Sequence, residues 1–152
     1  MSSLTAKRLL WSGAVLLLCI GGCLLLYALK LSFTESLYSQ RGSFAHFVTI
    51  TEPVIRTFPL FDATSEPQYH SGCGDGPKLP DQAVSYRSRL PTSELLALAQ
   101  RHVKSCGYSP GSAHDLPGLA FVRDSRTLYL NVTTADDGTT LLAADVIFDI
   151  HQ

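Results

Sequence analysis

From Leu9 to Leu29 the chain carries no charged residue and consists mostly of Leu, Val, Ile, Ala, Gly and Cys. As a helix these 21 residues reach roughly 31 Å, the hydrocarbon thickness of a bilayer. A small domain can bury such a run only by wrapping it on every side. Trp11 and Tyr27 stand near its two ends, where amphipathic rings favour the headgroup region. Lys7, Arg8 and Lys30 mark its edges. A single membrane-crossing helix, retained as a signal-anchor, is expected.

Two other anchors are considered. The run is too long for a cleaved signal peptide, and no small-x-small site precedes a polar mature start. Ile20-Gly21-Gly22-Cys23 resembles a lipobox, whose cysteine receives a lipid, but Leu24 to Leu29 continues the apolar run where a lipoprotein turns polar. Either a retained helix or a lipid keeps the chain on a membrane. Cys19 and Cys23 share one helix face, a stripe of small, lipid-compatible residues.

The remaining chain reads as one modest domain. The net charge of the whole chain is -1; the first thirty residues hold three cations and no acid, which leaves about -4 for the rest. Such a balance disfavours a nucleic-acid partner, which wants a concentrated basic surface. No phosphate loop, dinucleotide fingerprint or HExxH motif occurs. The expected organisation is a tail at 1–8, the helix at 9–29, a juxtamembrane and irregular Pro/Gly-rich segment with short strands at 30–80, and a core domain at 81–152.

Phe44 to Ile50 and Val54 to Phe58 have strand-like, aromatic and β-branched composition. Five prolines between Pro53 and Pro80 exclude a long helix there. Val84, Tyr86, Ser88 and Leu90 alternate with polar neighbours, the period of a strand. Pro91-Thr92-Ser93-Glu94 then supplies a strand stop, a hydroxyl cap and an early acid. Leu95, Leu98, Ala99, His102, Val103 and Cys106 recur at helical spacing, and Gly107 closes the helix. Three strands follow: Leu119 to Arg123, Thr127 to Thr133 and Leu141 to Ile150, joined by Asp124-Ser125 and Asp136-Asp137-Gly138 turns. The order strand-helix-strand-strand-strand predicts an α+β domain with one helix packed on an antiparallel sheet. Asp145 and Asp149 on the last strand would guard an exposed sheet edge or offer an acidic surface to a basic partner.

Outside the apolar run the cysteines are Cys73 and Cys106. Two cysteines in a small domain outside the cytoplasm are expected to pair, stapling the irregular segment to the helix end. Lys7, Arg8 and the N-terminal amine before the run are nearly balanced by Lys30 and Arg41 beyond it, so the cysteines orient the C-terminal domain outside the cytoplasm, in a bacterium towards the periplasm. The alternative is chemical. His70, Cys73, His102 and Cys106 form two His/Cys pairs that could together ligate Zn2+, or Cys106 with His102 could act as nucleophile and base. Neither pair matches a zinc-finger spacing, and no motif supplies an oxyanion hole. His114-Asp115 is a further pair in a Gly/Pro/Ser loop, expected to be solvated. No cofactor is called for. The function expected is that of a single-pass, membrane-anchored accessory or protein-binding domain of an envelope complex, or an inhibitor or immunity-type protein. Its partners are the lipid bilayer and a protein in the extracytoplasmic space; the competing function is a metal-binding domain or enzyme.

Overall fold

In the computed structural model, residues 3–74, 78–111 and 118–148 are described. Helix α1 (Ser3–Ser32) contains the apolar run. Its stretch Trp11–Leu31 is long and apolar enough to cross a bilayer, and the rest of the chain covers almost none of it. Seven strands follow: β1 (Leu37–Gln40), β2 (Gln68–Gly72), β3 (Asp81–Ser88), β4 (Ser109–Pro110), β5 (Leu119–Arg123), β6 (Arg126–Thr134) and β7 (Thr140–Phe148). They form one antiparallel sheet in the order β1-β2-β3-β7-β6-β5-β4. Three helices accompany it: α2 (Phe44–Thr49), α3 (Pro53–Arg56) and α4 (Thr92–Ser105). The architecture is α+β, as the sequence pattern predicts.

The alternating strands place Tyr69, Val84, Tyr86, Leu128, Leu130, Leu142, Ala144 and Val146 on one face, where each is buried. Against them pack Ile50, Val54, Ile55 and Phe58 from the α2–α3 region and Leu95, Ala99 and Val103 from α4. Gly107 sits at φ +87°, the left-handed position expected after α4.

The structure departs from the pattern in several places. Phe44 to Thr49 is helical, because Ser43 caps it: the Ser43 hydroxyl accepts from the His46 N–H. Pro53 to Arg56 is helical, with Pro53 in the first turn where a missing N–H costs nothing. At α4 the cap is Pro91 without a side-chain bond, while the Thr92 hydroxyl meets that of Thr134 at 3.1 Å. Segment 30–80 holds the short strands β1 and β2 and adds Ile50, Val54, Ile55, Phe58 and Tyr69 to the core. Finally, β7 lies in the middle of the sheet, so Asp145 guards no edge; Asp149 and Ile150 lie outside the described residues.

One polar cluster ties the layers together. Glu52, at the start of α3, has a side chain only 1% exposed. Its carboxylate accepts from Arg123 Nη2 at 2.9 Å and the Tyr108 hydroxyl at 3.2 Å, and Arg126 Nη1 lies 3.1 Å away. Arg123 also donates through Nη1 to the Cys106 carbonyl at the end of α4 (2.7 Å) and lies 4.7 Å above the Tyr108 ring. Burial first, then the Glu52 charge, push the Tyr108 hydroxyl far above its ordinary pKa, so it stays a donor. On the other side of Glu52, buried Gln82 of β3 accepts from the Thr51 and Glu52 N–H groups and donates to the Thr49 carbonyl and the Thr51 hydroxyl. This satisfies the backbone between α2 and α3 that would otherwise be buried without partners.

A carboxylate this deep is tolerable only while both guanidinium groups face it. Replacing Arg123→Ala should lower the unfolding free energy of the full chain in detergent by roughly 3–5 kcal/mol, read from denaturant titration followed by circular dichroism. A loss below about 1 kcal/mol, the value of an exposed pair, would contradict this account.

Candidate functional site

The polar face of the sheet, opposite the core, carries the candidate site. Across β1, β2, β3, β7 and β6, register places Tyr38, His70, Ala83, Asp145 and Tyr129 in one row. Asp81 lies two residues before Ala83, so it is the diagonal neighbour of His70 on the same face. Directly opposite Asp81 is Gly72. A Cβ there would stand 2.4 Å from Asp81 Oδ1 and 3.3 Å from the Glu35 carbonyl. The missing side chain thus opens the space in which Asp81 leans towards His70 and the chain at 35–36 passes close by.

Ser36 is two residues before Tyr38 and one step beyond the Leu37–Ser71 pair. Its Oγ lies 2.9 Å from His70 Nε2, while His70 Nδ1 lies 2.8 Å from Asp81 Oδ2. The Tyr38 ring packs 4.9 Å from the imidazole. Asp81 is well buried, with a side chain 12% exposed against 18% for His70, and Lys78 Nζ stands 3.7 Å from its other oxygen. Ser36 is exposed. In the tautomer where Nδ1–H donates to the Asp81 carboxylate, His70 Nε2 is left to accept from the serine hydroxyl. The row Ser36–His70–Asp81 therefore holds a hydroxyl, a base and an orienting acid in hydrogen-bonded sequence.

No family model, curated protein or solved structure matches the chain. What the site can do is read from its chemistry alone.

Of the residues singled out in the sequence, the structure brings His70 into this row and leaves the others elsewhere. Cys73 follows β2, its thiol 3.6 Å from the Gly74 carbonyl, beside an open cleft of about 450 Å3 that Phe33, Thr49, Gly72 and Gln82 also line. Cys106 ends α4 with its sulfur 3.7 Å from His102 Nε2. Both are free thiols, so the expected Cys73–Cys106 disulfide is not formed. One belongs to the β2 end of the sheet, and the other to the α4 terminus that Arg123 holds. His102 donates from Nε2 to the Val54 carbonyl at 3.1 Å and meets the Phe58 ring edge-on at 5.0 Å. It is a packing histidine that joins α4 to α3. His70, Cys73, His102 and Cys106 do not converge, and no group of three or more candidate ligands gathers among the described residues. His114-Asp115 lies outside them.

Asp145 belongs to the same face. Burial first, then the Asp81 charge, push its carboxyl up to about 6. The unfolded chain releases this proton near 4, so stability falls as pH rises from about 4 to about 6 and the loss is complete above that. Asp145→Asn should raise the melting temperature of the full chain at pH 8 and leave it unchanged at pH 4. Equal effects at both values would show that Asp145 is not held as a perturbed acid.

Proposed function

We propose that this protein is a single-pass membrane protein whose α+β domain serves as an accessory, protein-binding domain fixed at the membrane face. The supporting observation is the contact between the apolar helix and the domain. The Phe44 ring stacks on Tyr27, with centroids 6.0 Å apart and planes 19° from parallel. Tyr27 stands four residues, about 6 Å of helix, before the end of the apolar stretch at Leu31. If that stretch crosses a bilayer, Phe44 is drawn to the level of the headgroups. Phe47, three residues on and 63% exposed, lies on the same face of α2, with the Arg56 guanidinium 4.8 Å over its ring. Phe33 is 78% exposed just past the helix. Aromatic rings with adjacent cations suit the interfacial belt of a membrane. Leu31 is buried against the domain, and only residues 33–36 separate α1 from β1. A domain held so closely reaches partners in or on the same membrane rather than distant ones.

The surface offered to such a partner is β1. It is the outermost strand on the anchored side, and its four residues include neither Pro nor Lys. The opposite edge, β4, is two residues long and contains Pro110, which blocks strand addition. An extended segment of a membrane-bound partner adds to β1 by main-chain pairing, with Tyr38 outside to meet it. A cytoplasmic N-terminus is supported by Lys7, Arg8 and the N-terminal amine, set before the apolar run, against Lys30 and Arg41 beyond its other end. The domain then faces away from the cytoplasm.

A photo-crosslinking residue at Tyr38, tested in native membranes, should trap a discrete membrane-protein partner. The same residue at Ser109, on the other edge, should not. Equal products from both positions, or none from Tyr38, would contradict the role of β1.

A further inference from the structure

The row on the polar face goes beyond a docking role. We propose that Ser36 is an activated nucleophile, with His70 as its general base and Asp81 as the orienting acid, and that it accepts acyl groups from amphiphilic esters at the membrane surface.

Three independent features of the row meet the needs of such a site. The first is connectivity. Ser36 Oγ to His70 Nε2 is 2.9 Å and His70 Nδ1 to Asp81 Oδ2 is 2.8 Å, both within the reach proton transfer requires. The nitrogens are used in the productive sense: the acid fixes one tautomer, and the free lone pair faces the hydroxyl. The second is the gradient of exposure. The serine is open to solvent, while the histidine and the acid are mostly covered. The reacting atom is reachable, and the base is held where its charge is sheltered. The third is the space made for the row. Gly72 lies between the two partners of His70, and a Cβ there would collide with Asp81 Oδ1 at 2.4 Å and crowd the Glu35 carbonyl at 3.3 Å. Strand β2 ends on a residue without a side chain where one would push the acid aside.

Position names the substrate class. Ser36 follows Leu31, the end of the apolar stretch, by five residues. Between them in sequence is Phe33, 78% exposed just past the helix. An ester with an apolar chain in the bilayer and its carbonyl at the headgroup level meets Ser36 there.

The step balances without an added oxidant or metal. Ser36 Oγ bonds to the ester carbonyl carbon as its proton passes to His70 Nε2. The carbon–alkoxide bond then breaks, and the alcohol leaves with that proton. Water, deprotonated by the same nitrogen, attacks the acyl-serine, releases the carboxylic acid and restores the hydroxyl.

The test is covalent labelling of the full chain, reconstituted in phosphatidylcholine vesicles, with a long-chain alkyl fluorophosphonate. Mass spectrometry of peptides should place the adduct on Ser36, formed at least about ten times faster than on exposed Ser109. Ser36→Ala should abolish it. His70→Gln should slow it by about a hundredfold or more, the usual yield of a general base. Asp81→Asn is read in parallel, so that a fall in labelling is scored only for a variant that keeps the wild-type circular dichroism spectrum and melting temperature. Absence of a Ser36 adduct in the wild type, or an unchanged rate in a folded His70→Gln or Asp81→Asn variant, would overturn the proposal.

Discussion

The buried Glu52 carboxylate is the constraint on which most of this structure depends. It opens α3, and within reach of its two oxygens lie groups from the α4–β4 connection, from the end of β5 and from the start of β6. Arg123 extends the same cluster to the last carbonyl of α4. Removing charge from water is costly, and the cost is met only when every partner arrives together. The cluster therefore specifies one arrangement of the helices on the sheet in a way that apolar packing alone would not. Gln82 completes it by bonding both sides of the link between α2 and α3.

This explains which parts of the fold were legible from the amino-acid order. Helix α4 and the β5–β6–β7 meander carry their own periodicity and turn residues, so local reading located them to within a few residues. The four-residue β1 and the Gln-Tyr-His-Ser-Gly of β2 carry no apolar alternation. They are strands because β3 provides an edge to pair with, a long-range cause that a local pattern does not contain. The aromatic composition of Phe44 to Ile50 suggested a strand, yet a single Ser43 cap and burial of His46 and Thr49 on one side make it a helix.

The candidate site was less legible still. His70 stood out, but its partners Ser36 and Asp81 lie 34 and 11 residues away and form no motif. Gly72 marks a close approach only once β2 is known to be a strand. The pairs His70/Cys73 and His102/Cys106 drew attention through spacing. The fold separates them, giving His102 to the α3–α4 contact and leaving both cysteines as thiols. Spacing along the chain says which residues can share a face, and only the sheet order says which faces meet.

If the Tyr27–Phe44 stack and the buried Leu31 hold in a bilayer, the helix and the domain move as one piece, with the polar row and the β1 edge at a set height beside the apolar helix. The most direct measurement of that claim is the distance distribution between spin labels at Leu24, exposed on α1, and at Asp136, exposed in the β6–β7 turn. It would be recorded by pulsed electron paramagnetic resonance in lipid bilayers, with the four native cysteines replaced. A rigid coupling gives one narrow distribution, and breaking the Tyr27–Phe44 stack with Phe44→Ala should broaden it. A broad distribution in the otherwise native chain would contradict the account, because the domain would then be a freely swinging tether.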